Sequence, residues 1–158
     1  LHPRVRRQRQ MCIRDSFLID SALSACLICI GSNDHRKENL LLARQNLYAL
    51  FPSIYFATEM ETEPLYLKNT ARFSNQVALF ATAMEKEAVV NALKEIEMKA
   101  GRRSEDKTAE KIPLDIDLLV YGNEILKPKD LRREYIQKGV EELGTLLARE
   151  EVGEWPVE

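Results

Sequence analysis

The chain has 158 residues, 45% of them hydrophobic and 30% charged, which suits one globular domain with a real core. Its formal net charge is −2; the first sixteen residues, LHPRVRRQRQMCIRDS, carry a net +4, so the remainder stands at about −6. An acidic body argues against a sequence-independent grip on nucleic acid, and no apolar run reaches the ~18 residues of a membrane span.

Residues 1–20 show no apolar periodicity and read as a non-native or disordered tail ahead of a single domain over 21–158. Its arginines suit a transit peptide or a nucleic-acid arm, but RQRQMCIRDS reads more simply as a translated sequencing adapter joined to an open reading frame. The following FLIDSALSACLICI is interrupted by Asp20 and has no cleavage pattern, so a soluble, cytoplasmic protein is expected. Cys26 and Cys29 form a CxxC in a strand-like run, where positions three apart face opposite sides. A redox motif needs a helix to start there; Gly31, Ser32 and Asn33 follow instead, and both cysteines read as small core hydrophobes.

From residue 23, LSACLICIGSN predicts a strand ending in a turn. Residues 36–51 place Leu40, Ala43, Leu47 and Leu50 at helical spacing, with Pro52 closing the helix. The segment 53–63 alternates as Ile54, Phe56, Thr58, Met60, Thr62, which is strand spacing, and 64–72 is a loop before a further strand over 73–83. Residues 85–100 put Val89, Leu93, Ile96 and Ala100 on one stripe, ended by Gly101. The polar loop RRSEDKTAEK leads into a buried strand, IPLDIDLLVYG, over 112–122. After Gly122 the signal weakens, with a possible helix through Val140, Leu143 and Leu147 despite Gly144. Strand, helix, strand, strand, helix, strand is the order of a ferredoxin-like α/β (α+β) sandwich: a mainly antiparallel sheet, helices on one face, the other face open for ligands. That fold hosts many functions.

Asp115 and Asp117 interrupt the last strand. Two apart, they share a face, while Leu114, Ile116 and Leu118 take the other. With Cα atoms roughly 7 Å apart, two bare carboxylates repel by about 2 kcal/mol at an effective dielectric of ~20. A divalent cation offsets that, and Mg²⁺ typically uses one or two carboxylates plus substrate phosphates. The plainer reading is a wet strand face, but Asp is a poor strand former. Glu97 beside the second helical stripe, and Arg102, Arg103, Lys107 and Lys111 in the loop, suit a cation-bridged polyphosphate; taken alone, Glu97 reads equally as a surface acid and the basic loop reads better as a solvated loop of mixed charge. Thr62, Leu65, Phe73 and Asn75 come together if the hairpin pairs, giving an aromatic face and an amide for a flat heterocycle. Without the fold, Phe73 reads as core and Asn75 as a strand-end cap.

The ordered set IGSN (30–33), TEPL (62–65), FSN (73–75), IEMKAGR (96–102) and PLDIDLLVYG (113–122) resembles the hydroxymethyldihydropterin pyrophosphokinases of folate biosynthesis, over roughly 23–126. The resemblance implies transfer of the β,γ-pyrophosphoryl group of ATP to the hydroxymethyl of a dihydropterin, leaving AMP. Asp115 and Asp117 would then hold two Mg²⁺ ions, with Asp115 helping to deprotonate the hydroxyl. Arg102 would be catalytic and, with Glu97, Arg103, Lys111, Ile116 and Tyr135, would meet the nucleotide. Thr62, Leu65, Phe73 and Asn75 would form the pterin pocket. No nucleic-acid or membrane partner is implied, and the protein is expected to be a monomer or weak dimer.

The sequence also departs from that family. Ser104 stands where a second Arg is usual, Ala109, Glu110, Lys111 and Ile112 where Trp, Gly, Pro and Arg are usual, and Glu134 with Tyr135 where a His-Tyr pair is usual; the histidines are His2 and His35. Each lost charged phosphate contact costs about 1.5 to 3 kcal/mol, and Lys111 replaces an Arg only as a point charge. Two readings follow: a working, shortened pyrophosphokinase, or a catalytically impaired relative acting as a pterin- or cation-binding ferredoxin-like module.

Overall fold

The computed structural model describes residues 22–62, 72–101 and 111–151; the tail 1–20, Leu65, Arg102 and Arg103 lie outside them. The apolar run SACLICIGS, buried on both faces, forms β1 (Ser24–Ser32) at the centre of the sheet. Then come α1 (Arg36–Leu50), β2 (Tyr55–Phe56), β3 (Met60–Thr62), β4 (Phe73–Thr82) and α2 (Lys86–Lys99). They are followed by β5 (Asp115–Tyr121), β6 (Glu124–Ile125), a short α3 (Pro128–Leu131) and a long α4 (Glu134–Glu151). The sheet order is β2-β4-β1-β5-β6, β3 also pairs with β4, and every pairing is antiparallel. This is the expected ferredoxin-like α+β fold.

One sheet face carries Cys26, Ile28, Ile30, Ala78, Phe80, Ile116 and Leu118 against the apolar stripes of α1 and α2. Leu40, Ala43 and Leu47 of α1 are buried as the spacing predicts, but Leu50 is exposed, and Phe51, stacked on Phe80 at 3.9 Å, closes the helix end in its place.

The opposite face is not wholly open. Ile136, Leu143 and Leu147 of α4 recur at helical spacing and bury themselves on Leu27, Val77, Leu79 and Leu119. Burying each such side chain contributes roughly 1.5–3 kcal/mol, which makes α4 a fixed wall. It packs very close: a Cβ on Gly139 would lie 2.6 Å from Val77 Cγ2, so only glycine admits this approach of helix to sheet.

The segment 53–63 is not one uninterrupted strand. Phe56 pairs with Ala78 but Met60 with Asn75, so three residues on this side oppose two on β4. That extra residue is a β-bulge, and it reverses the phase of the alternation. Ile54 and Phe56 face the helices, whereas Thr62 turns to the other face. Distant groups satisfy the freed backbone: Gln76 Nε2 donates to the Ala57 carbonyl at 2.8 Å, and Thr58 N–H donates to the Glu142 carboxylate of α4 at 2.9 Å. No helix among the described residues is long and apolar enough to cross a membrane.

Candidate active site

The antiparallel register sets up the site. Asn75 of β4, Gly31 of β1 and Asp115 of β5 lie in one cross-strand row, and Val77, Cys29 and Asp117 in the next. With strands ~4.8 Å apart, Asn75 and Asp115 stand about 10 Å from each other across Gly31. Gly31 contributes no side chain, and a gap opens above it. A Cβ there would lie 3.1 Å from Asn75 Oδ1 and 3.8 Å from the Phe73 ring. Thr62, opposite Phe73, accepts a 2.5 Å hydrogen bond from Asn75 Nδ2 and so turns Oδ1 of that buried amide over the gap.

Around this gap lies a cavity of about 590 Å³, within the size range of small-molecule sites. The sheet supplies its floor, including Thr62, Phe73, Asn75, Asp115 and Asp117, and the α3–α4 segment its wall, including Asp130, Arg133 and Tyr135. The structure thus gathers five of the expected residues and Tyr135 about one space. Others fall elsewhere. Ile116 turns its side chain into the core on the helix side, 5% exposed. Glu97 accepts a 2.7 Å hydrogen bond from the Ile116 N–H at the edge of β5, and Lys111 is exposed just before that strand. These three sit around the ends of the 102–110 segment rather than in the cavity lining.

Asn33 shows what the turn after β1 does. Its N–H donates to the Ile112 carbonyl at 3.0 Å, and its Oδ1 accepts the Ile112 N–H at 2.6 Å. The chain is clamped three residues before Asp115, which fixes the entry of the acidic strand.

The electrostatics follow from burial and crowding. The Asp117 carboxyl is pushed up to about 7 by burial first, then by the charge of Asp115, with which it shares a hydrogen bond. Burial, and then the charge of Asp117, raise the Cys29 thiol to about 12. Tyr135, raised to about 12 by burial and by Cys29, keeps its proton too. Cys29 packs against the cluster under α4, as a small hydrophobe does, and also lines the cavity, whereas Cys26 is buried in the cluster on the α1–α2 side. The pair Asp115 and Asp117 fits a hard cation that completes its shell with phosphate and water oxygens; among the described residues no third His, Cys, Asp or Glu joins a metal-binding group.

Asp130, Arg133 and Glu134 also line the cavity, and the sequence marks them weakly. The run KPKDLRREYIQK reads as polar, and only Ile136 and Gly139, in phase with Val140, Leu143 and Leu147, announce that α4 will fold back over the sheet.

A family model described as 7,8-dihydro-6-hydroxymethylpterin-pyrophosphokinase (HPPK) matches residues 27–145, three quarters of the chain. The chain belongs to this pyrophosphokinase family. The matched span includes the whole floor of the cavity and its α3–α4 wall. A stretch of 62 residues is also 36% identical to the folate synthesis bifunctional protein of Arabidopsis thaliana, covering 39% of this chain and 13% of that protein.

Proposed function

We propose that the protein transfers the β,γ-pyrophosphoryl group of ATP to the hydroxymethyl of 6-hydroxymethyl-7,8-dihydropterin, releasing AMP, as a step of folate biosynthesis. The observation that carries this is one cavity floor with two halves: Asp115 and Asp117 on one side of Gly31, Thr62, Phe73 and Asn75 on the other. Phe73 stacks on the pterin ring and Asn75 reads its amide edge, its orientation set by Thr62. Across the Gly31 gap the pterin hydroxyl faces the acids, so alignment for in-line attack on the β-phosphorus is the main contribution of the fold.

Asp115 and Asp117 would hold Mg²⁺, which when bound would supply charge stabilisation to the phosphate oxygens during transfer. Burial and then the charge of Asp115 raise the Asp117 carboxyl, and a bound cation would relieve that repulsion. Lys111 approaches the nucleotide from the edge of β5, where Glu97 and the Ile116 backbone lie, and Tyr135 meets it from the α4 wall.

Calorimetry on the full chain tests the assignment of the two halves. Titration with Mg²⁺ and a non-hydrolysable ATP analogue, then with hydroxymethylpterin, is expected to show Mg²⁺-dependent binding of both ligands, with the nucleotide component lost in Asp115→Ala. Pterin binding without any nucleotide binding would instead support a catalytically impaired, pterin-binding relative.

A further inference from the structure

Acids dominate the cavity: Asp115, Asp117, Asp130 and Glu134 all line it. Arg133 is the one cation among its described lining residues. It stands in the turn between α3 and α4, where its carbonyl accepts the Gln137 N–H at 3.0 Å and so ties its backbone to the first turn of an 18-residue helix. Two contacts aim the guanidinium. Nη2 lies 3.2 Å from Asp130 Oδ1, and Nη1 donates to the Tyr135 hydroxyl at 3.4 Å. A guanidinium has five N–H donors in a fixed fork, so these contacts orient it while leaving donors for an oxyanion.

The plain alternative is an i,i+3 ion pair at a helix end, with side chains 38% and 30% exposed. Pairs of that kind are weak in water. The weakness itself makes the pair displaceable: a polyphosphate presents several charged oxygens in a geometry the fork matches, against one partly hydrated carboxylate. An acidic cavity that admits a polyanion also needs fixed positive charge besides any metal, and Arg133 is already oriented on its wall.

We propose that Arg133 is a phosphate-contacting residue, held over the cavity by Asp130 and Tyr135 and exchanging Asp130 for the polyphosphate when nucleotide binds. This rests on the pyrophosphokinase reading of the same cavity and adds a residue to its nucleotide side, on the wall formed by α3 and α4 rather than on the 102–110 segment.

The test is calorimetry of the full-length wild type, Arg133→Gln, Arg133→Lys and Asp130→Asn, each titrated with a non-hydrolysable ATP analogue in Mg²⁺ and, separately, with hydroxymethylpterin. The proposal expects Arg133→Gln to weaken analogue binding tenfold or more while pterin affinity stays within twofold. Arg133→Lys recovers part of the loss, and Asp130→Asn binds the analogue as tightly as wild type or more so. Analogue affinity within twofold in Arg133→Gln, equal weakening of both ligands, or an Asp130→Asn loss matching that of Arg133→Gln would overturn it. A wild type that binds the analogue through Arg133 but releases no AMP removes the proposed reaction and leaves this contact standing. A wild type that binds no analogue overturns both.

Discussion

Replacing Asp117 by Asn makes the metal-free protein more stable at pH 8. The carboxyl lies at about 7 in the folded protein against an ordinary value of 3.8, a difference of roughly 3 units at 1.36 kcal/mol each. The folded state thus holds a proton that the unfolded chain has already released. The stability this proton contributes is present in full below about pH 4, falls as pH rises and is gone above about pH 7. Asn mimics the protonated acid at every pH and keeps an amide donor for Asp115. The variant should therefore match wild type near pH 4 and exceed it at pH 8 by on the order of 4 kcal/mol, or about 10 °C in Tm for a chain of this size. Scanning calorimetry in a chelator reads this directly. With Mg²⁺ at pH 8 the gap should narrow, because the cation stabilises the wild-type pair. An Asn variant equal to or less stable than wild type at pH 8 without metal would refute the reasoning, since Asp117 would then not be a crowded, partly buried acid.

Three further substitutions probe the construction of the site. Gly31→Ala places a methyl 3.1 Å from Asn75 Oδ1 and swings the amide off its Thr62 contact; pterin affinity should fall tenfold or more with analogue affinity unchanged, and equal loss of both ligands would argue against the two-halved floor. Gly139→Ala collides with Val77, and chemical denaturation should show a loss of about 1–3 kcal/mol; an unchanged midpoint would mean that α4 is not seated on the sheet. Asn33→Ala removes one bond of the Ile112 clamp, and hydrogen exchange should speed up at residues 112–115 more than in β1; uniform exchange would show the clamp to be dispensable.

Much of the scaffold was legible because its signals are local. The apolar run in SACLICIGS and the stripes Leu40-Ala43-Leu47 and Val89-Leu93-Ile96 depend on neighbours in sequence, and the structure uses them as a strand and two buried helix faces. The shared face of Asp115 and Asp117 is equally local. What the sequence hid depends on partners far along the chain. The bulge that turns Thr62 to the cavity is satisfied by Gln76 and by Glu142, 19 and 84 residues from their backbone partners. The wall of Asp130, Arg133 and Tyr135 depends on Gly139 letting α4 lie against Val77, 62 residues away in sequence; the helical phase of Ile136, Gly139 and Leu143 hints at the buried face but not at its partner. Cys29 packs against the cluster under α4 as its small apolar character suggests, but that it also borders a cavity depends on where α4 ends, which strand position alone does not reveal.

The measurement that bears most directly on the central claim is product analysis of the full chain incubated with ATP, Mg²⁺ and 6-hydroxymethyl-7,8-dihydropterin, beside Asp117→Asn. The account predicts AMP in step with pyrophosphorylated pterin, none without the pterin, and a drop on the order of a hundredfold in the variant. Binding of both substrates with no AMP, or AMP formed equally well by Asp117→Asn, would contradict it.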